Sequence, residues 1–261
     1  MAQLIGNIQI TGSLDNLSFY KMRGSDKIIV RRKGGPTRKQ VKKSPKFENT
    51  RRNNKEFGGR SQAVSYIKDA LWPLLFLVDY NIVGPLNALL KPIQQLDTTC
   101  DFGKRNILIS KNPRLLEGFP LNRRNLFESI VRTPVDYSRQ DKQAIIDIPE
   151  LIPGINLVSP VSYPVYQFIA AARLIPDVVY RDERRGYEPI GKRYKLNYTK
   201  TDWLPVNTRA AATQLIINNL PAEKPEGTSM LIALGISFGN LKGTTIEPVK
   251  YVGAGRIIGM E

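Results

Sequence analysis

The chain contains no histidine, and its only cysteine is Cys100. Without imidazole, no serine or cysteine can be activated by the usual general base, and the commonest transition-metal ligand is missing. A lone cysteine forms no disulfide within the chain and builds no cysteine-rich zinc site, so Cys100 is expected to be a small buried packing residue. Long apolar runs are scarce too. The most apolar stretch, Ala70 to Val78, is nine residues long, contains Pro73 and is followed by Asp79. A bilayer span needs about 20 such residues. Met1 to Ile10 carries no basic stretch leading into an apolar core, so no secretion signal is read there. The expectation is a protein without a membrane span, in the cytoplasm or in a virion. Composition is otherwise ordinary: 261 residues, 41% hydrophobic and 24% charged, enough for one large core or two modest ones.

Acidic residues are scarce in one place. Between Lys21 and Arg60, fifteen of forty residues are Lys or Arg and three are acidic (Asp26, Glu48, Glu56), so this window holds +12 of the chain's net +16. A segment so charged repels itself unless something anionic lies against it. The candidate binding residues are Lys27, Arg31, Arg32, Lys33, Arg38, Lys39, Lys42, Lys43, Lys46, Arg51, Arg52 and Lys55. Lys27, Arg31 and Lys33 alternate along a strand face, Arg38-Lys39 and Lys42-Lys43 form doublets, and Asn53-Asn54 add polar donors. Arg and Asn suit phosphates and base edges, and Phe19, Tyr20, Phe47 and Phe57 suit unpaired bases. Two other readings compete: a solvated linker, and an assembly arm that meets acidic patches on a neighbouring subunit.

Catalytic motifs are incomplete. Gly235-Ile236-Ser237-Phe238-Gly239 matches the G-x-S-x-G of serine hydrolases, but no histidine can complete the triad and the motif lies inside a strand pattern. Ser65-Tyr66-Ile67-Lys68 matches S-x-x-K without a K-T-G partner, and reads as a solvated helix face. Neither Gly34-Gly35-Pro36-Thr37 nor Gly239 to Thr245 has phosphate-loop spacing, and no calcium loop is present. No cofactor or metal is expected. A carboxylate pair assembled by folding, as in glycosidases, is the remaining enzymatic route.

Hydrophobic spacing gives the elements. Strands are expected over Leu4–Ile10, Leu17–Met22 and Lys27–Lys33, with turns at Gly12 to Asn16 and Gly24-Ser25-Asp26. Residues 36–59 lack a hydrophobic period and read as an extended arm. From Arg60, Val64, Ile67, Ala70, Leu71, Leu74 and Leu75 follow helical spacing, bent at Pro73, and Gly84-Pro85 separates a second helix near Leu86–Leu96. Strands follow over Ile107–Ser110, Ser129–Asp136, Ala144–Asp147, Val165–Val179 (bent at Pro176), Arg209–Ile217, Met230–Phe238 and Val249–Ile258. Leu231, Ala233 and Gly235 face one way, and Met230, Ile232, Leu234, Ile236 and Phe238 the other. Trp72, inside its apolar run, is assigned to the core; Trp203, beside Thr201-Asp202, is more open.

The opening Gly12-Ser13-Leu14-Asp15-Asn16-Leu17-Ser18-Phe19-Tyr20, with Gly24, Val30-Arg31, Lys33-Gly34 and Thr37-x-x-Gln40, resembles an uncharacterised family of bacterial proteins. Its members open with a G-x-x-G-N-x-x-x-Y hairpin and a V-R-x-x motif, and close on a Tyr-x-Gly element, here Tyr251-Val252-Gly253. Leu14 and Asp15 stand where that family has a glycine and a small residue. The resemblance implies no catalytic residues, and a non-enzymatic protein from a bacterial or phage-like setting.

The resulting expectation is an α+β chain: a basic β-hairpin arm with short helices over residues 1–105, then an antiparallel β-sandwich over residues 106–261. The leading function is a non-enzymatic assembly protein, a homo-oligomeric subunit of a bacterial or phage-like particle whose arm contacts neighbouring subunits or nucleic acid. The alternative is a dedicated DNA- or RNA-binding protein using residues 21–60, and the third reading is a carboxylate-based hydrolase.

Overall fold

The computed structural model describes residues 2–4, 10–22 and 26–261. Most of the expected strand Leu4–Ile10, most of the Gly24 turn, and Arg23 lie outside the described residues. The fold is α+β, and the chain divides into two compact units, Met1–Arg51 and Arg52–Glu261.

The first unit is a four-stranded antiparallel sheet in the order β1-β4-β3-β2, with β1 at Ala2–Leu4, β2 at Gly12–Leu14, β3 at Leu17–Lys21 and β4 at Ile28–Arg32. Asp15, at φ 45°, takes the left-handed turn conformation that joins β2 to β3. Among the described residues, Phe19, Ile28 and Ile29 are the buried apolar side chains of this sheet.

Beyond Gly34-Gly35-Pro36 the chain is helical, which corrects the extended arm expected over 36–59. Helix α1 (Arg38–Lys43) opens on a reciprocal cap: Gln40 N donates to Thr37 Oγ1 at 3.2 Å, and Thr37 N donates to Gln40 Oε1 at 2.7 Å. Helix α2 (Glu48–Ala70) starts twelve residues before the expected Arg60. Its inward positions are Glu56, Gly59, Ala63, Val64, Ile67 and Ala70. The helical period is present, but its first half is written in an ion-paired carboxylate and a glycine, which a search for apolar residues passes over.

In the second unit a 3₁₀ turn (Trp72–Leu77) follows α2, then α3 (Val83–Gln95), a short α4 (Phe127–Ile130), β5 (Asp136–Gln140) and β6 (Gln143–Ile148). Gly84-Pro85 lies in the first turn of α3 and does not separate elements; proline is tolerated there because first-turn N–H groups have no helical partner. Two expected strands are also corrected. Ile107 makes one bridge to Val178 and then enters a 3₁₀ turn, while the Ser129 region is the helix α4.

The remaining strands are β7 (Val165–Pro176), β8 (Val178–Arg181), β9 (Gly186–Pro189), β10 (Asn197–Lys200), β11 (Leu204–Pro205), β12 (Thr213–Ile217), β13 (Thr228–Lys242), β14 (Thr245–Pro248) and β15 (Ala254–Met260). A six-stranded antiparallel sheet runs β10-β7-β13-β14, with β11 on β7 and β15 on β13. A three-stranded sheet, β12-β6-β5, packs on one face, and β8-β9 form a hairpin. The single strand expected over Val165–Val179, bent at Pro176, is instead two: β7 ends at Pro176 and β8 belongs to the separate hairpin.

The alternation read along β13 holds. Met230, Ile232, Leu234, Ile236 and Phe238 join Ala144, Ile146, Leu215 and Ile217 in the core between the sheets. Leu231 and Ala233 join Ile67, Leu74, Leu90 and Ile93 in a second core under the helices. Residues 52–105, grouped by sequence with the arm, thus belong to the second unit by their packing. Gly235 is required by this layering: a Cβ there would meet Leu74 and Leu77 side chains at 2.7 Å. Two glycines of the hydrolase-like motif are packing glycines, since a Cβ on Gly239 would meet Trp203 at 2.9 Å.

Candidate nucleic-acid interface

In the first unit the cations stand on β4, α1 and the turn that follows. Arg31 and Arg32 end β4 and are exposed, and the Arg31 guanidinium carbon lies 5.4 Å from the Tyr20 ring centroid. Lys27 and Lys33 flank the strand instead of sharing one of its faces. Lys33 Nζ donates to Asp15 O at 2.6 Å, bracing the β2–β3 turn. Arg38, Lys39, Lys42 and Lys43 make up most of α1, which buries no residue. Lys46 is exposed in the 3₁₀ turn Pro45–Phe47. Arg51 is used internally: its Nη1 donates to Val41 O and Ser44 O, both at 2.8 Å, and holds that turn in place.

Helix α1 is electrostatically unfavourable taken alone. Arg38–Lys42 and Lys39–Lys43 are like charges four residues apart, each pair costing about 0.2–0.5 kcal/mol. Arg38 and Lys39 sit in the first turn, where the helix dipole favours anions, and no acid is present in that turn. Asp26 pairs with Lys21 at 2.7 Å. Among the described residues, Arg31, Arg32, Arg38, Lys39, Lys42, Lys43 and Lys46 make no ion pair.

In the second unit, Arg52 and Lys55 lie on the exposed side of α2, and the Arg52 stem packs where a Cβ on Gly103 would meet it at 2.8 Å. Lys55 and Lys104 Nζ lie 5.7 and 5.6 Å from the centroid of one ring, Tyr180. Lys104 also pairs with Asp182 at 2.5 Å. Lys55 and Arg185 line a cavity of about 230 Å³ with Tyr180 and Tyr187. Sequence reading missed Tyr180 and Arg185, which come from the β8–β9 hairpin, and Lys104, which comes from the loop after α3; the run Arg181 to Arg185 is the available signal.

The buried carboxylates serve the scaffold. Glu56 accepts Arg105 Nε at 2.7 Å, Arg105 Nη2 at 2.9 Å and Gly103 N at 2.9 Å. Burial alone would raise its pKa, but these donors outweigh it and hold the carboxyl below its ordinary value. Asp97 accepts Thr99 N at 3.0 Å and Asn106 N at 2.6 Å, and Asp177 accepts Ser110 N at 2.8 Å. Arg60, a member of the basic run, is half-buried and donates to Gln94 Oε1.

Among the described residues there is no cluster of three or more acidic or cysteine side chains placed to hold a metal, and no helix is long and apolar enough to cross a membrane. Ser65 is exposed and donates to Gln62 O at 2.7 Å. Cys100, expected to be buried, is half-exposed beside Asn106, whose Nδ2 lies 3.3 Å from its sulfur. Compared with family models, with curated proteins and with solved structures, the chain finds no match in any of the three.

Proposed function

We propose that the protein is a non-enzymatic structural subunit that lies against nucleic acid, using the cations of residues 27–46 on the phosphate backbone and the 52–261 unit as a rigid body. One observation carries the reading: the eight cations from Arg31 to Lys46 are exposed and have no ion-pair partner among the described residues, and four of them are crowded onto one capped helix. A helix that sets cations at its own N-terminus and repeats them at i and i+4 loses stability to do so, and a polyanion reverses both terms. The small apolar content of the first unit points the same way. Phe19, Ile28 and Ile29 are its buried large side chains among the described residues, and so short a sheet has little to stabilise it alone. The non-enzymatic part is supported by the buried carboxylates, each bound by its own donors.

The test is light scattering on protein purified with and without nuclease, at low and high salt. The reading expects co-purified nucleic acid that high salt removes, with a loss of mass. A particle free of nucleic acid that keeps its mass through both treatments would assign the basic residues to a neighbouring subunit instead.

A further inference from the structure

Trp72 is assigned to the core by its apolar neighbours, yet it is 65% exposed. It opens the 3₁₀ turn that follows α2 and stands at the mouth of a cleft of about 420 Å³, on the helical face of the six-stranded sheet. That size suits a small ligand. Tyr198, 50% exposed on β10, lines the same cleft, as does Lys200 two residues further along that strand. The floor is the sheet itself: Ser237 on β13 is the register partner of Gln167 on β7, and Ile169 is the partner of Lys200.

Two features separate this cleft from a patch of stray apolar surface. Gln167 Nε2 donates to Thr201 O at 2.6 Å, which fixes the amide in the floor. Ser237, the serine of the hydrolase-like motif, is fully buried and its Oγ has no hydrogen-bond partner among the described residues. A buried hydroxyl left unpaired is unfavourable, and serine reorients by a single χ1 rotation. The cleft therefore combines two exposed aromatic rings, one cation, one fixed amide and one unsatisfied hydroxyl. A planar heteroaromatic ring with edge acceptors and an attached anion matches all five.

We propose that this cleft binds a nucleobase carrying a phosphate: the ring stacks on Trp72 or Tyr198, Lys200 meets the phosphate, and Ser237 and Gln167 meet the base edge. The shared chemistry is a nucleotide, supplied either free or as an unpaired base in a strand. The site stands on residues separate from the basic segment, so it survives or fails independently of the phosphate-backbone reading.

The experiment uses the full chain with Trp203→Phe, which leaves Trp72 as the reporter, and follows fluorescence quenching by UMP, by AMP, by a short oligothymidylate and by inorganic phosphate. Stacking predicts quenching by nucleotides and not by phosphate. Tyr198→Ala or Lys200→Ala, both at exposed positions, should weaken it about tenfold or more. Substituting Arg38, Lys39, Lys42 and Lys43 by Ala should leave mononucleotide quenching unchanged. Quenching by the oligonucleotide alone, retained in that arm variant, identifies a strand as the source. Three results overturn the proposal: no quenching by any nucleotide, equal quenching by phosphate, or oligonucleotide quenching that vanishes with the arm cations, which would leave the arm reading intact. Should Trp203→Phe fail to fold, saturation-transfer NMR on the base protons with the unmodified protein gives the same decision.

Discussion

Glu56 and Arg105 are joined by two parallel hydrogen bonds, Nε at 2.7 Å and Nη2 at 2.9 Å, across forty-nine residues of sequence. The Glu56 side chain is 3% exposed and that of Arg105 20%. Replacing Glu56 by Ala leaves the guanidinium and Gly103 N unpaired in a largely dry site, and should cost about 3–5 kcal/mol. Denaturant unfolding measures it, and a midpoint unchanged from the parent would contradict the assignment of Glu56 as the anchor of α2.

The same pair sets part of the acid response. Burial alone would raise the Glu56 pKa, but the hydrogen bonds from Arg105 and Gly103, with Arg60 adding attraction, hold it below its ordinary value. A depressed folded pKa contributes stability that is complete above the unfolded value and is lost as pH falls through the folded one. Asp97 has the same sign; Asp177, raised by burial, has the opposite sign. The melting temperature should therefore decline below the ordinary carboxylate range. Glu56→Gln should melt lower at neutral pH and show a shallower acid decline; a decline as steep as the parent's would contradict this.

Two adjacent glycines in α2 should respond in opposite directions. A Cβ on Gly59 would meet the Tyr187 ring at 2.6 Å, whereas nothing lies within 4 Å of one on Gly58. Tyr187 cannot easily give way, because its hydroxyl donates to Arg105 O at 2.9 Å and accepts Gln94 Nε2 at 3.2 Å. Gly58→Ala should stabilise by up to about 1 kcal/mol through helix propensity. Gly59→Ala should destabilise by about 1–3 kcal/mol through overpacking. Thermal melts of the two variants decide it, and shifts of equal sign would contradict the packing.

The β13 faces, the change of direction at Pro176 and the basic segment itself were legible because each is carried by neighbours in sequence. The start of α2 was not, since its inward positions Glu56 and Gly59 are filled by partners from far along the chain, Arg105 and Tyr187. Trp72 failed for a related reason: its apolar run is a 3₁₀ turn, which exposes one side chain while Pro73, Leu74 and Leu77 are buried. The hydrolase-like motif misled because its glycines answer to layer packing. Tyr180 has only the charged run Arg181 to Arg185 beside it in sequence, while the two lysines at its ring come from distant segments.

The central claim is that the cations of α1 meet phosphates. Its most direct test is the salt dependence of oligonucleotide binding, followed by fluorescence anisotropy for the unmodified chain and for the variant with Arg38, Lys39, Lys42 and Lys43 all changed to Ala. Each phosphate contact adds about 0.7–0.9 to the log–log slope, so the variant's slope should be shallower by about three to four. Its melting temperature should not fall, because α1 buries nothing and loses two repulsive pairs. An unchanged slope, or no binding by the parent at low salt, would contradict the account.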